Sequence, residues 1–167
     1  MTEFSDIEFD VFFKEEDAFC EVFIKVFNQN IDVNIDDFKK NDSLSNYAKR
    51  GLNGIQNITE IQKNKIINDF WKFAKNCMSD SNYEGDNLIL EKNETQLERS
   101  MKMLKIYNKK EAFSRCKIIF SVTSNNEFRE TEDTGNYHYH LWFDCPWDSH
   151  YTVVEFYNGE ISGYSSC

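Results

Sequence analysis

Residues 137–164 read YHYHLWFDCPWDSHYTVVEFYNGEISGY and carry the clearest strand pattern of the chain. Apolar and more polar positions alternate over 137–143 and again over 152–157, and a period of two residues is typical of a strand with one buried face. Asn158-Gly159 follows the second run, and because both residues tolerate a positive φ, the pair is a strong hairpin signal. The stretch therefore predicts three antiparallel strands, the last one returning over 160–164. The inward positions predicted for the first two strands are Tyr137, Tyr139, Leu141, Phe143, Thr152, Val154 and Phe156.

The same alternation appears in three runs at the start of the chain and once more shortly before residue 123. The polar stretch Asn28-Gln29-Asn30 separates two of these runs and consists of residues that suit tight turns. We predict an N-terminal antiparallel meander and one further strand near 118–122. The inward positions are Ile7, Phe9, Val11 and Phe13 in the first run, Cys20, Val22, Ile24 and Val26 in the second, Ile31, Val33 and Ile35 in the third, and Ile118, Phe120 and Val122 in the last.

Helical periodicity occupies the middle of the chain. Thr59 and Gln62 form a capping-box pattern in front of apolar residues at helical spacing, which predicts a helix over 59–78. A second helix is predicted over 94–113 with Asn93 as its N-cap, and a shorter one within 43–55, although Gly51 and Gly54 are poor helix formers. Residues 79–87 and 124–136 are predicted to be loops. The expected buried stripes are Ile58, Ile61, Ile66, Phe70, Phe73, Ala74 and Cys77 in the first helix and Leu97, Met101, Leu104 and Tyr107 in the second.

Strands therefore gather at both ends of the chain and helices lie between them. This order predicts an α+β fold, in which a largely antiparallel sheet from strands at both ends of the chain packs with two or three central helices. A length of 167 residues is typical of one domain, so residues 1–167 are predicted to form a single α+β domain. A hydrophobic content of 40% and a single proline exclude a disordered or low-complexity chain.

The charge of the chain is strongly negative but unevenly distributed. A net charge of −10 argues against binding to nucleic acid, because nucleic-acid backbones are recognised by positive surfaces. Residues 92–117 nevertheless carry eight lysines and arginines against three glutamates, a local net charge of +5 that leaves −15 in the remainder. Two interpretations are open: a solvated helix face that balances the acidic sheet, or two surfaces of opposite sign.

The chain is predicted to be cytoplasmic, with no membrane association. No apolar run is long enough to cross a membrane, and the acidic N-terminus differs from a secretion signal. The five cysteines are an odd number and are widely spaced, so reduced thiols are expected, with Cys20 and Cys116 as small buried residues. No phosphate-binding loop, dinucleotide motif or HExxH motif occurs, and no cofactor is predicted.

All three histidines lie within 138–150. His138 and His140 share one strand face, and with His150 they form an alternative metal site, because imidazole is a preferred zinc ligand. The competing interpretation is that His138, His140 and Trp142 are the outer aromatic face of a strand. The same alternative extends to a metal-dependent or acid/base enzyme that uses His138, His140 and His150.

Residues 143–161 resemble the C-terminal part of small bacterial domains of unknown function, some of which are found among polymorphic-toxin immunity proteins. The resemblance rests on Phe143-Asp144-Cys145-Pro146-Trp147-Asp148, on the turn that contains His150 and on the strand–Asn-Gly–strand hairpin, and it extends to 137–165. That family favours an acidic residue before the histidine and a glycine after it, where this chain has Ser149 and Tyr151. The resemblance implies a fold and a non-catalytic role in which the domain neutralises a protein toxin.

The sequence therefore favours a non-catalytic binding protein, which we expect to bind a protein partner such as a cationic toxin. Tryptophan is a common anchor of protein interfaces, so the expected recognition patch consists of Trp142, Asp144, Trp147, Asp148 and His150. The competing interpretation is structural: Trp147 caps the sheet edge, and Asp144 or Asp148 accepts backbone N–H groups at the turn. A homodimer formed through an exposed strand edge is a further alternative, and the sequence leaves the oligomeric state open.

Overall fold

A computed structural model describes residues 9–14, 17–35, 38–39, 43–80, 90–123 and 135–166. Residues 7–8 of the first predicted run and most of the two predicted loops, 79–87 and 124–136, lie outside these ranges. The elements in chain order are β1 (Phe12–Lys14), β2 (Asp17–Ile24), β3 (Gln29–Ile35), β4 (Phe38–Lys39), β5 (Ser43–Leu44), α1 (Asn46–Gln56), α2 (Glu60–Ser79), α3 (Gln96–Leu104), α4 (Lys109–Ser114), β6 (Lys117–Thr123), β7 (His138–Asp144), β8 (Thr152–Tyr157) and β9 (Glu160–Ser166).

Seven strands form one sheet in the order β1-β2-β3-β6-β7-β8-β9. Every neighbouring pair is antiparallel except β3 and β6, which are parallel because the helical segment returns the chain to the same end of the sheet. The strands β4 and β5 form a separate small ladder. The predicted α+β class, with sheet strands from both ends of the chain, is confirmed. None of the described helices is long and apolar enough to cross a membrane.

The two faces of the sheet differ in what packs on them. We call the face that bears Val22, Val33, Leu141 and Val154 the helix face, since it forms the buried core with the apolar sides of the helices. The other face, which we call the open face, bears side chains such as Phe23, 47% exposed. The described helices all pack on the helix face. Strand alternation therefore held within β2, β3, β7 and β8, where the predicted inward residues are buried. Val26 and Tyr137, also predicted to face inward, lie outside these strands and are only partly buried.

The glycines of α1 allow the helix to approach the sheet closely. A Cβ at Gly51 would lie 2.1 Å from Thr123 Oγ1, and one at Gly54 would lie 2.6 Å from Tyr139 Cε1. The short helix predicted within 43–55 is confirmed. Gly51 and Gly54 lower the intrinsic helix propensity of α1, but the close packing of this helix on the sheet requires them.

Helix α2 begins with the predicted capping box, in which Thr59 and Gln62 bond reciprocally. Phe70 lies at the centre of the core, with its ring 4.9 Å from the ring of Phe143 and 6.3 Å from that of Trp147. One predicted stripe residue is wrong: Ile61 is 82% exposed, whereas Met78, absent from the predicted stripe, is fully buried. The helix buries Ile66, Phe70, Ala74 and Met78, a strict four-residue repeat that begins only in its second turn.

The single helix predicted over 94–113 is wrong, because the segment forms two helices. Thr95, and not Asn93, is the N-cap of α3, and Asn93 has a positive φ of 71°. The helix ends at Lys105, whose left-handed conformation redirects the chain and buries Ile106. The Asn108 side chain then caps α4 by accepting backbone N–H groups. Tyr107, predicted to be inward, is 55% exposed because it lies in this connection.

The inward positions predicted for β6 are wrong beyond Ile118. A bulge between Ile118 and Phe120 inserts one extra residue and reverses the alternation. Ser121 and Thr123 therefore face the core, and their hydroxyl groups donate to the carbonyl oxygens of His140 and His138. Phe120 and Val122 lie on the open face, opposite Trp142 and His140.

The hairpin predicted at Asn158-Gly159 is confirmed. Both residues have positive φ values, 49° and 81°. The turn leads into β9, which pairs antiparallel with β8. The turn at 25–28 likewise contains a left-handed Asn28, φ 51°, although Gln29 and Asn30, predicted to lie in the turn, belong to β3.

Candidate functional site

An aromatic cluster lies on the open face near the end of β7. The ring of Trp142 stacks on Phe120 at 5.0 Å with an interplanar angle of 20°, and Tyr151 packs edge-on against it at 6.1 Å. Val153, opposite Trp142 in the register, is buried in the same cluster. Within the described ranges, the buried indole Nε1–H of Trp142 has no hydrogen-bond acceptor. An unpaired buried donor of this kind costs roughly 1–3 kcal/mol.

Acidic side chains line the same face. Glu21 of β2 is directly opposite Asp32 of β3, and both are exposed. The Glu21 carboxylate accepts a hydrogen bond of 2.9 Å from Asn30 Nδ2. Like charges directly opposite one another destabilise a sheet, so the opposition of these two carboxylates weakens the pairing locally. Further along the face, Glu155 accepts a 2.7 Å hydrogen bond from Ser165 Oγ.

The histidines of β7 lie on the open face as the sequence predicts. The ring of His138 lies 4.5 Å from that of Tyr157, and the His138 N–H donates to Tyr47 Oη at 2.6 Å. His140 is opposite Glu155 in the register. In the part of the chain that the structure describes, no three His, Cys, Asp or Glu side chains are placed to hold a metal ion. His138, His140 and His150 are therefore not brought together as one ligand set.

The turn between β7 and β8 holds Asp148 and His150. Asp148 Oδ1 accepts a 3.0 Å hydrogen bond from the His150 N–H and lies 3.5 Å from His150 Nδ1. The Asp148 N–H in turn donates to the Cys145 carbonyl oxygen at 3.2 Å. These contacts are local and order the turn, as expected for an aspartate that accepts backbone N–H groups.

The predicted recognition patch is divided by the fold. Trp142 is half-buried on the open face, and Asp144 is exposed on the same strand, opposite Lys117. Trp147 is 1% exposed and packs against Phe70 in the core. We therefore take Trp147 out of the candidate site and add Phe120, Tyr151, Glu21, Asp32 and Glu155, which sequence reasoning missed. The signal for the acidic members was present in the period-two pattern, since all three occupy outward positions.

A second polar cluster joins α2 to the edge strand β9. Asp69 accepts hydrogen bonds from Lys65 Nζ at 2.8 Å, Lys72 Nζ at 2.9 Å and Tyr164 Oη at 2.8 Å. Burial alone would raise the pKa of Asp69, but these three hydrogen bonds lower it to about 2. Burial and the bond to Asp69 raise the pKa of Tyr164. The cluster is a structural link on the helix side of the sheet.

No family model, curated protein or solved structure matches this chain. The relationship to toxin-immunity domains thus stays a prediction from the segment 137–165. A proposal about function has to be argued from the residues of the open face.

Proposed function

We propose that this chain is a non-catalytic protein-binding domain whose open sheet face binds a cationic protein partner. The specific function that we propose is that of an immunity protein, with a cationic toxin as the partner. The observation that carries the proposal is the aromatic cluster of Phe120, Trp142 and Tyr151, which no described helix packs against.

The aromatic cluster supplies the anchor of such an interface. Tryptophan and tyrosine bury a large area on binding at a low cost in side-chain entropy, and they dominate the energetic centres of interfaces. Stacking on Phe120 holds the Trp142 ring in place before any partner arrives.

The charge of the surface favours a cationic partner. Glu21, Asp32 and Glu155 all point outward from the open face, in a chain whose net charge is −10. Complementary charge accelerates encounter and rejects partners of the wrong sign. The repulsion between Glu21 and Asp32 would be relieved when a lysine or arginine binds between them.

The test is co-purification with a cationic toxin domain. The wild-type chain is compared with a Glu21→Gln/Asp32→Asn variant, which removes two charges from the open face. A Glu60→Gln/Glu91→Gln variant removes the same charge from exposed positions on the helix side and is the matched control.

We expect the wild-type chain and the control to retain the partner and the open-face variant to lose most of it at physiological salt. Equal retention by all three proteins would contradict the electrostatic part of the proposal. If the wild-type chain does not bind the toxin domain, the proposed immunity function is contradicted.

A further inference from the structure

We propose that Cys116 and Cys145 are a redox-active pair that closes into a disulfide when the protein meets a small-molecule disulfide. Both are free thiols in the structure. Cys145 Sγ donates a hydrogen bond to Cys116 Sγ over 3.2 Å, about 1.1 Å more than the length of a disulfide bond. No inference about the partner of the open face is needed for this proposal.

The strand register explains why the two sulfur atoms meet. Cys116 immediately precedes β6 and Cys145 immediately follows β7, and Lys117 is directly opposite Asp144 in this antiparallel pair. The next position along both strands therefore places the two cysteines opposite one another. Opposed residues of antiparallel strands have Cα atoms about 4.5–5.5 Å apart, which lies within the range that a disulfide accepts. The register thus places the two residues within the reach of a disulfide bond.

The other described cysteines are placed differently. Cys20 is buried in β2, and burial raises its pKa to about 11. Cys77 of α2 is half-buried, and its pKa is raised by burial and then by the nearby negative charges of Asp148 and Asp80. Cys77 is therefore the competing thiol that an experiment must separate from the pair.

The exchange takes place in two steps. The partly exposed Cys116 loses its proton, and its thiolate attacks one sulfur of oxidised glutathione, forming a mixed disulfide and releasing one glutathione thiolate that takes up the proton. Cys145 then loses its proton and displaces the second glutathione, which leaves as the thiol. Two cysteine thiols are oxidised and one glutathione disulfide is reduced to two thiols. The close Cys145 sulfur, which would carry charge first, and burial raise the pKa of Cys116, so the exchange is expected to be slow at neutral pH.

The experiment incubates the folded chain in glutathione redox buffers at mildly alkaline pH, followed by acid trapping and tryptic mapping without reduction. A Cys167→Ser background is used, because trypsin leaves Cys145 and Cys167 on one fragment. We expect a mass loss of two hydrogen atoms and a cross-link between Cys116 and Cys145. The oxidised protein should also unfold at higher denaturant concentration, because the bond closes a loop between residues 29 apart in sequence.

Two control variants keep the result interpretable. Cys77→Ser should still form the bond, whereas Cys145→Ser should form none and retain glutathione on Cys116. If the fully oxidising buffer leaves both thiols of the wild-type pair free, or joins Cys77 to either of them, the proposal is overturned. The mapping of the wild-type pair does not depend on whether Cys145→Ser folds.

Discussion

Asp69 shows how a single side chain can connect two layers of the fold. It lies on α2, is only 14% exposed, and is bonded to two lysines of its own helix and to Tyr164 of the edge strand. The lysines are half or more exposed, so solvent screens part of their contribution. The remaining stabilisation should appear as a pH dependence of the free energy of unfolding.

We predict that Asp69→Asn lowers the free energy of unfolding at pH 7 by roughly 1–2 kcal/mol. The folded-state pKa of Asp69 is lowered to about 2, so its contribution is complete above the unfolded value of about 3.9 and is lost as the pH falls toward 2. Urea denaturation at pH 7 and at pH 3 checks this. A difference between variant and wild type that stays constant over this range would contradict the assignment.

Gly51 is the glycine of α1 at which an added Cβ would lie nearest to the sheet. We predict that Gly51→Ala destabilises the fold by about 1–3 kcal/mol, because the new methyl group would overlap Thr123 Oγ1. In a Thr123→Ala background the cost should be clearly smaller, because the Oγ1 contact is removed and only the Cβ of residue 123, 3.0 Å away, stays close to the new methyl group. Chemical denaturation of the four proteins measures the coupling. An equal cost of Gly51→Ala in both backgrounds would show that the contact is not the cause.

At the scale of the elements, the end of α3 has a strained residue. Lys105 adopts the left-handed conformation, with φ 54° and ψ 47°, which is unfavourable for a residue with a Cβ. We predict that Lys105→Gly stabilises the fold by about 1 kcal/mol, because glycine adopts this conformation without a steric cost. Lys105→Ala is the control and should bring no such gain, since it keeps the Cβ. Thermal unfolding of both variants tests this prediction. Equal unfolding midpoints for Lys105→Gly and Lys105→Ala would contradict it.

The same elements show what sequence patterns can and cannot predict. Strands β2, β3, β7 and β8, the capping box of α2 and the Asn158-Gly159 turn follow from local chemistry and were predicted. The break at Lys105 and the bulge before Phe120 are set by tertiary packing, which buries Ile106 and places Ser121 inward. Neither is visible in a single sequence, because helix propensity continues through Lys105 and the alternation continues through Ile119.

The candidate site was predictable only in part for the same reason. Trp142 and Trp147 are both tryptophans near the end of β7, and composition alone does not distinguish them. The strand pattern places Trp142 outward, and that prediction held. Trp147 lies beyond the strand, in a turn that folds back onto Phe70. Phe120 belongs to the site only because the bulge moves its side chain from the helix face to the open face.

At the scale of the whole molecule, most of the described basic segment 92–117 lies on the other side of the sheet from three open-face carboxylates. The basic segment 92–117 includes α3 and α4, which pack on α2 on the helix side. Part of its charge is already balanced, since Lys102 Nζ bonds Glu94 Oε1 at 2.6 Å. The open face bears Glu21, Asp32 and Glu155. A partner attracted by the open face should therefore bind more slowly as salt is added.

We predict that the association rate with the cationic partner falls at least tenfold between low and high salt. The Glu21→Gln/Asp32→Asn variant should show a weaker salt dependence, because it has fewer charges on the binding face. Stopped-flow fluorescence measures both. A rate that does not change with salt would contradict steering by this face.

The central claim is that Trp142 is the anchor of the binding face, and it is tested most directly by the partner affinity of Trp142→Ala. Trp71→Ala is the matched control, since Trp71 is also a half-buried tryptophan but lies on α2 of the helix layer. Titration calorimetry of both variants, with thermal unfolding to confirm that each is folded, should show affinity reduced by about 30-fold or more for Trp142→Ala and nearly unchanged for Trp71→Ala. If the folded Trp142→Ala variant binds the partner with full affinity, Trp142 is not the anchor.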